Sequence, residues 1–143
     1  MKNAFMKYTM IAAVISIGGV MVSTLPAAAA EAAVTIPATT AEIWQSIDKH
    51  VKDLHADIDK GVLKNAHEHA FAIRDLVQAL PTHSPSLSAE ALAKVTEQGK
   101  FVATLAERID QTGDANDKPG TVANLTKLEG VLKTIRGNYA AVK

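Results

Sequence analysis

Apolar residues recur every three or four positions along most of the chain, and this spacing predicts amphipathic helices. The first series is Ile43, Ile47, Val51, Leu54 and Ile58. Gly61 follows it closely, and glycine commonly ends a helix because it adopts a left-handed backbone conformation without steric cost. We therefore predict a first helix over residues 40–59.

Three further series have the same spacing. The second is Val62, Ala66, Ala70, Ile73, Val77 and Leu80. The third is Leu92, Val95, Gly99, Val102, Ala106 and Ile109. The fourth is Val122, Leu125, Leu128, Leu132, Ile135, Tyr139 and Val142. With Pro81 stopping the second helix and Ser88 capping the third, these series predict helices over residues 62–80, 88–112 and 119–142.

The segments between the predicted helices are short and rich in Gly, Pro, Ser, Asn and Asp, which is typical of turns. Four amphipathic helices with such connections predict an all-α fold, an antiparallel up-down-up-down four-helix bundle. No alternating pattern of useful length predicts a β-strand. The bundle is expected to occupy residues 31–143.

Residues 1–30 have the composition of a secretory signal peptide. Lys2 and Lys7 lie in a short cationic start, residues 8–25 are mostly apolar, and alanines at 27–30 offer a cleavage site near Ala28–Ala30. We expect cleavage there and a periplasmic protein without a remaining membrane segment. An uncleaved anchor is the alternative, because the apolar stretch approaches the ~20 residues that span a bilayer.

The composition of the mature chain restricts its partners and ligands. Removing Lys2 and Lys7 from the 15 basic residues leaves 13 against 15 acidic ones, so no nucleic-acid partner is expected. The chain has no Cys, and all four Met lie within residues 1–30. Only nitrogen and oxygen ligands then remain, which suit Zn(II), Cu(II) or Ni(II).

Segment 128–139, LEGVLKTIRGNY, resembles the final helix of the soluble periplasmic cytochrome b bundles. The size, the export signal and the Ser/Pro-rich central loop are similar as well, and the resemblance implies a four-helix bundle. That family holds haem between a Met on the first helix and a His directly after the Tyr that corresponds to Tyr139. Here Ala140 follows Tyr139 and the first helix has no Met, so no haem is expected.

The chain also looks like small haemless periplasmic bundle proteins that accompany heavy-metal efflux systems. This second resemblance implies a role in metal homeostasis.

Four of the five histidines lie within twenty positions on the first helical hairpin, and His83 alone lies in the central loop, where no role is expected. His67 and His69 do not form a chelating unit, because residues two apart on a helix point about 200° away from each other. Folding the hairpin about Gly61 instead places His50 level with His69. We expect an inner cluster of these two with Asp53 or Asp57.

The same folding places His55 near His67, which predicts an outer cluster of these two with Asp59. The candidate metal ligands are His50, His69, Asp53, His55 and His67. Each series of apolar residues forms an apolar stripe along one side of its helix. On a helical wheel His69 is the only histidine that falls within such a stripe, so we expect it to be buried. It is then either a core histidine satisfied by a neighbour, a transition-metal ligand or a pH sensor.

Other features suggest alternatives to metal binding. Gly130 and Gly137 lie on one strip of the fourth helix, and Phe71 and Phe101 fall off their own apolar stripes, which suits an interaction module or a homodimer. Trp44 is expected to cover one end of the bundle. No arrangement of catalytic residues is recognisable, so we expect no enzyme.

If the third helix runs antiparallel to the second, the same alignment places Gly99 at the level of His69. The missing side chain of this glycine would leave space beside the imidazole. The leading hypothesis is therefore a periplasmic bundle that binds or buffers a divalent transition metal. The competing hypothesis is a non-enzymatic interaction or stress module without metal.

Overall fold

The computed structural model describes residues 34–140. They form four α-helices: α1 (Thr40–Lys60), α2 (Ala66–Ala79), α3 (Ala89–Asp114) and α4 (Lys118–Ala140). Residues 34–140 contain no β-strand, which confirms the all-α prediction. The predicted signal segment 1–30 and the end of the last predicted helix, residues 141 and 142, lie outside the described residues.

Both ends of α1 follow from its sequence. Thr39 caps the helix by accepting the Glu42 N–H, and the Glu42 carboxylate accepts the Thr39 N–H in return. Gly61 ends the helix as predicted, with φ +76°. Past this glycine the Val62 N–H donates to the Asp57 carbonyl at 2.8 Å, so the last turn is closed.

The second helix begins later than predicted. The expectation was a helix from residue 62, but Leu63–Asn65 forms a 3-10 helix and α2 starts at Ala66. Val62, a predicted stripe member, is 42% exposed, whereas Leu63 is buried. The tighter 3-10 turn directs Leu63 into the core directly after the left-handed Gly61.

The first turn of α4 also differs from the predicted stripe. Val122 was expected to face the core but is 44% exposed, and Thr121 is completely buried instead. The Thr121 hydroxyl donates to the Asp117 carbonyl at 2.8 Å and lies 3.0 Å from the Thr112 hydroxyl. Asn124 donates to the Arg108 carbonyl, so the polar groups buried here are satisfied by hydrogen bonds.

All four helices contribute aliphatic side chains to one core. Its completely buried members include Ile43, Ile47, Leu54, Ile73, Leu76, Val95, Ile109, Leu128 and Ile135. Trp44 packs edge-on against Tyr139 with ring centroids 5.7 Å apart, and the Arg136 guanidinium lies 4.3 Å from the centre of the Trp44 ring. These contacts place the tryptophan across one end of the core, as expected.

Consecutive helices pack on each other, and α1 makes a smaller contact with α4. Two polar pairs link α1 to α4: Arg136 Nη2 lies 2.6 Å from Asp48 Oδ1, and His55 Nε2 lies 2.8 Å from Glu129 Oε1. None of the helices within residues 34–140 is both long and apolar enough to cross a membrane.

Gly113 occupies a close approach that the sequence did not reveal. It was expected in the turn, but it lies in the last turn of α3, which ends at Asp114, two residues before Asn116 adopts φ 54°. A Cβ atom at Gly113 would lie 2.7 Å from the Leu63 carbonyl oxygen and 3.5 Å from Ala66 Cβ. The short 3-10 helix before α2 therefore needs a glycine beneath it.

A pair of glycine substitutions tests this contact. Gly113→Ala should lower the free energy of unfolding by about 1–3 kcal/mol, because the added methyl group overlaps backbone that must shift. Gly130→Ala is the matched control, since a Cβ there meets nothing within 4 Å. It should raise the free energy of unfolding by about 0.5–1 kcal/mol through helix propensity alone. Urea unfolding measures both, and equal stabilisation by the two changes would contradict the close approach.

Candidate functional site

The apolar stripe of α1 separates its two histidines. His50 and His55 lie on opposite sides of the stripe, which is buried between α2 and α4. As a result His50 faces His69 on α2, and His55 faces Glu129 on α4. The packing of α1 therefore places His50 at its interface with α2 and His55 at its interface with α4.

His50 and His69 form the central pair of the site. Their Nδ1 atoms are 3.1 Å apart, the ring centroids are 5.4 Å apart, and the ring planes are inclined by 47°. Both residues are partly buried. His69 was expected to be buried, but its side chain is 20% exposed. One Nδ1–H donates to the other Nδ1, so at least one ring of the hydrogen-bonded pair is an uncharged acceptor.

Asp57 lies on the far side of His69. Its Oδ2 atom is 3.4 Å from His69 Nε2, a weak contact between two partly buried side chains. A carboxylate at Nε2 favours the hydrogen on that nitrogen and leaves the lone pair on Nδ1. The contact thus favours the tautomer in which His69 accepts at Nδ1 and His50 donates.

Asp53, the other carboxylate of the expected inner cluster, is held by a lysine. Lys49 Nζ donates to Asp53 Oδ2 at 2.7 Å within α1. This hydrogen bond is the main reason why the pKa of Asp53 is lowered, and the charges of Lys49, His69 and His50 lower it further. Asp53 is therefore within electrostatic reach of both imidazoles while its carboxylate is turned to Lys49.

The outer cluster does not come together in the structure. His55 Nε2 pairs with Glu129, and His67 Nδ1–H donates to the Lys64 carbonyl at 2.6 Å. Asp59 offers its backbone carbonyl to Lys118 Nζ at 3.3 Å. The hairpin alignment predicted the height of His55 along the hairpin but not the direction of its side chain. His55 lies on the side of α1 that faces α4.

No group of three or more His, Asp or Glu side chains within residues 34–140 is arranged to hold a metal ion. The five candidate ligands therefore reduce to one imidazole pair, with Asp57 at its far nitrogen and Asp53 nearby.

Gly99 does not border the imidazole pair. A Cβ built there would meet only Val77 Cγ1, at 3.7 Å. The glycine instead lines a groove of ≈ 340 Å³ between α2 and α3, together with residues such as Val95 and Pro81. The expectation that its missing side chain leaves space beside His69 was wrong, because α2 presents Val77 to this part of α3.

His83 has a structural role that the sequence did not indicate. Its Nδ1–H donates to the Ala38 carbonyl at 3.1 Å, and its own carbonyl accepts the Thr40 hydroxyl. The neighbouring Ser84 is buried and lies 3.1 Å from the Tyr139 hydroxyl. This loop histidine therefore ties the segment before α1 to the α2–α3 connection, a contact over more than forty residues that no local pattern encodes.

The His50–His69 pair is suited to donating nitrogen lone pairs at neutral pH. Burial lowers the pKa of His50, and the nearby His69 and Lys49 charges lower it further, against a smaller opposing effect of Asp53. Its neutral form is therefore favoured. An uncharged imidazole can bind a metal or accept a hydrogen bond, and a protonated one can do neither.

Comparison with known proteins gave no match: no protein-family model, curated protein or solved structure resembles this chain closely enough to count.

The pH dependence of stability tests the environment of His50. Because its pKa is lowered, folded His50 takes up a proton at lower pH than the unfolded imidazole, whose pKa is 6.5. The free energy of unfolding should therefore fall as the pH drops below about 6.5, and this loss should be smaller in His50→Gln. Urea unfolding of the metal-free protein from about pH 7.5 to about pH 5 measures both curves. A constant difference between them would contradict the assignment.

Proposed function

We propose that this chain is an exported helical-bundle protein that binds a divalent transition metal through His50 and His69, as an accessory to metal homeostasis. The observation that carries the proposal is the 3.1 Å separation of the two Nδ1 atoms. Two imidazole nitrogens on different helices, facing each other at this distance, can share one metal ion.

The separation suits adjacent positions around a metal. With metal–nitrogen bonds of about 2.0–2.1 Å, nitrogens 3.1 Å apart subtend about 100° at the ion. That angle lies between the roughly 90° of square-planar and the roughly 109° of tetrahedral coordination, geometries typical of Cu(II) or Ni(II) and of Zn(II). The hydrogen that now joins the rings would leave or move to the far nitrogen of His50.

Asp57 supports this role for His69. Histidines that bind metals usually donate their other ring N–H to a carboxylate or carbonyl, which orients the ring and makes it a stronger ligand. Asp57 lies near Nε2 of His69 and so favours a free lone pair on the Nδ1 atom that faces His50.

The ligand chemistry supports a metal of intermediate or hard character. The chain lacks Cys, and its Met residues all precede residue 30, in the segment that we propose to be cleaved. A site of imidazole and carboxylate groups favours Zn(II), Cu(II) or Ni(II) over Cu(I). It also leaves no thioether to hold a haem iron.

We further propose that the four helices form an antiparallel up-down-up-down bundle, exported to the periplasm by residues 1–30. Two polar pairs between α1 and α4 support the topology. Asp48 pairs with Arg136, whereas His55, which comes later in α1, pairs with Glu129, which comes earlier in α4. The two helices therefore run in opposite directions. The composition of residues 1–30 supports the export.

Metal titration tests the proposal. The purified metal-free protein should bind Zn(II), Cu(II) or Ni(II) far more tightly than millimolar, and Cu(II) most tightly of the three. Replacing His50 or His69 by Ala should weaken binding by about 100-fold or more, because loss of a direct ligand should exceed the 10–100-fold effect of losing an outer partner. Isothermal titration calorimetry measures the dissociation constants.

His67→Ala is the matched control, since this histidine lies two residues from His69 on the same helix and is bonded to the Lys64 carbonyl. It should leave the affinity unchanged. Affinity weaker than about millimolar for all three ions, or equal affinity in the His50→Ala/His69→Ala variant, would refute the site.

An interaction module is the second candidate function, favoured by two observations. Phe101 is 57% exposed on α3, and on α4 the strip at Gly130 and Gly137 has no neighbouring atoms where Cβ atoms would lie. An exposed aromatic ring and a flat strip suit a homodimer. Sedimentation equilibrium would detect a dimer that Phe101→Ser weakens, and a monomer at all concentrations would exclude it.

A further inference from the structure

The imidazole pair provides two ligands for a metal ion. Within residues 34–140 no third His, Asp or Glu side chain completes a set around it. A zinc or copper ion has a coordination number of at least four in most nitrogen and oxygen sites. A third protein ligand would therefore have to move into place when the metal arrives.

Asp53 is placed to make that movement. It follows His50 by three positions on α1, and residues three apart are neighbours on one face of a helix. Its carboxylate is held at 2.7 Å by Lys49, the residue directly before His50 on α1. Asp57 is less suited, since it lies at the nitrogen of His69 that faces away from His50.

In this structure, the Asp53 carboxylate is paired with Lys49. The two form an i, i+4 ion pair at 2.7 Å, in which the lysine side chain is 72% exposed and the aspartate side chain 36% exposed. Exposed pairs of this kind are weak, corresponding to about a twofold change in an equilibrium constant. A divalent cation at the imidazole pair would attract the carboxylate more strongly than this lysine does.

We propose that metal binding switches Asp53 from Lys49 to the metal, so that Lys49 competes with the ion for its third ligand. The inference rests on the proposed function, because it needs a metal at His50 and His69. Asp53 then binds the metal directly, and Lys49 is a positioning residue that holds the carboxylate away from the empty pair. Water fills the remaining coordination positions, which suits a site that takes up and releases its ion.

A double-mutant cycle tests the switch, with Zn(II) as the probe and calorimetry as the readout. Asp53→Asn should weaken Zn(II) binding by about tenfold or more. Lys49→Gln should strengthen it by about twofold or more, because the carboxylate is released and a positive charge is removed. In the Asp53→Asn background Lys49→Gln should have a smaller effect, since only the charge effect remains.

Lys94→Gln is the matched control. Lys94 forms the same kind of i, i+4 pair, 2.8 Å from Glu90, on α3. Breaking that pair should leave the affinity for Zn(II) unchanged. A gain equal to that of Lys49→Gln would mean that overall charge, not competition for Asp53, controls binding.

Nuclear magnetic resonance gives a readout that a purely structural role would not change. The side-chain carboxyl ¹³C resonance of Asp53 should shift on addition of Zn(II), and that of Glu90 should not. If His50→Ala or His69→Ala leaves binding intact, the proposed function fails. If those variants lose binding but Asp53→Asn keeps full affinity and the Asp53 resonance does not move, the switch alone is overturned.

Discussion

Burial of the α1 stripe between α2 and α4 is the constraint on which the site depends. Ile43, Ile47 and Leu54 are completely buried, and each such side chain stabilises the fold by about 1.5–3 kcal/mol. An exposed ion pair contributes about 0–1 kcal/mol. The stripe therefore decides how α1 is rotated, and the polar residues beside it take whatever partners that rotation offers. His50 is brought against α2 and His55 against α4 for this reason.

The sequence predicted the features that depend on one helix or one turn. Spacing of apolar residues predicted four helices, Gly61 marked the end of α1, and the hairpin count brought His50 level with His69. The same count failed for His55 and His67, because it gives the height of a residue along the hairpin and not the direction of its side chain. The helical wheel held that information, since it placed His50 and His55 on opposite sides of the stripe.

Features that depend on contacts between distant backbones could not be predicted. Gly113 is needed because a Cβ atom there would lie only 2.7 Å from the Leu63 carbonyl oxygen. The 3-10 helix Leu63–Asn65 positions that oxygen, whereas the apolar pattern predicted α-helix in this segment. Val122 is exposed because Thr121 and Asn124 find hydrogen-bond partners on α3. The spacing of apolar residues predicts that apolar side chains are buried and polar ones exposed. This prediction is wrong for a helical turn whose polar side chains are buried and hydrogen-bonded.

The packing that places the two imidazoles also prepares them chemically. Partial burial of His50 between α1 and α2 disfavours its charged form, which lowers its pKa and reduces competition from protons at neutral pH. The same burial is incomplete, since the His69 side chain keeps one fifth of its surface exposed. A fully buried pair would bind slowly and a fully exposed pair would bind weakly. The interface of α1 and α2 lies between these limits, which suits reversible binding of a metal ion.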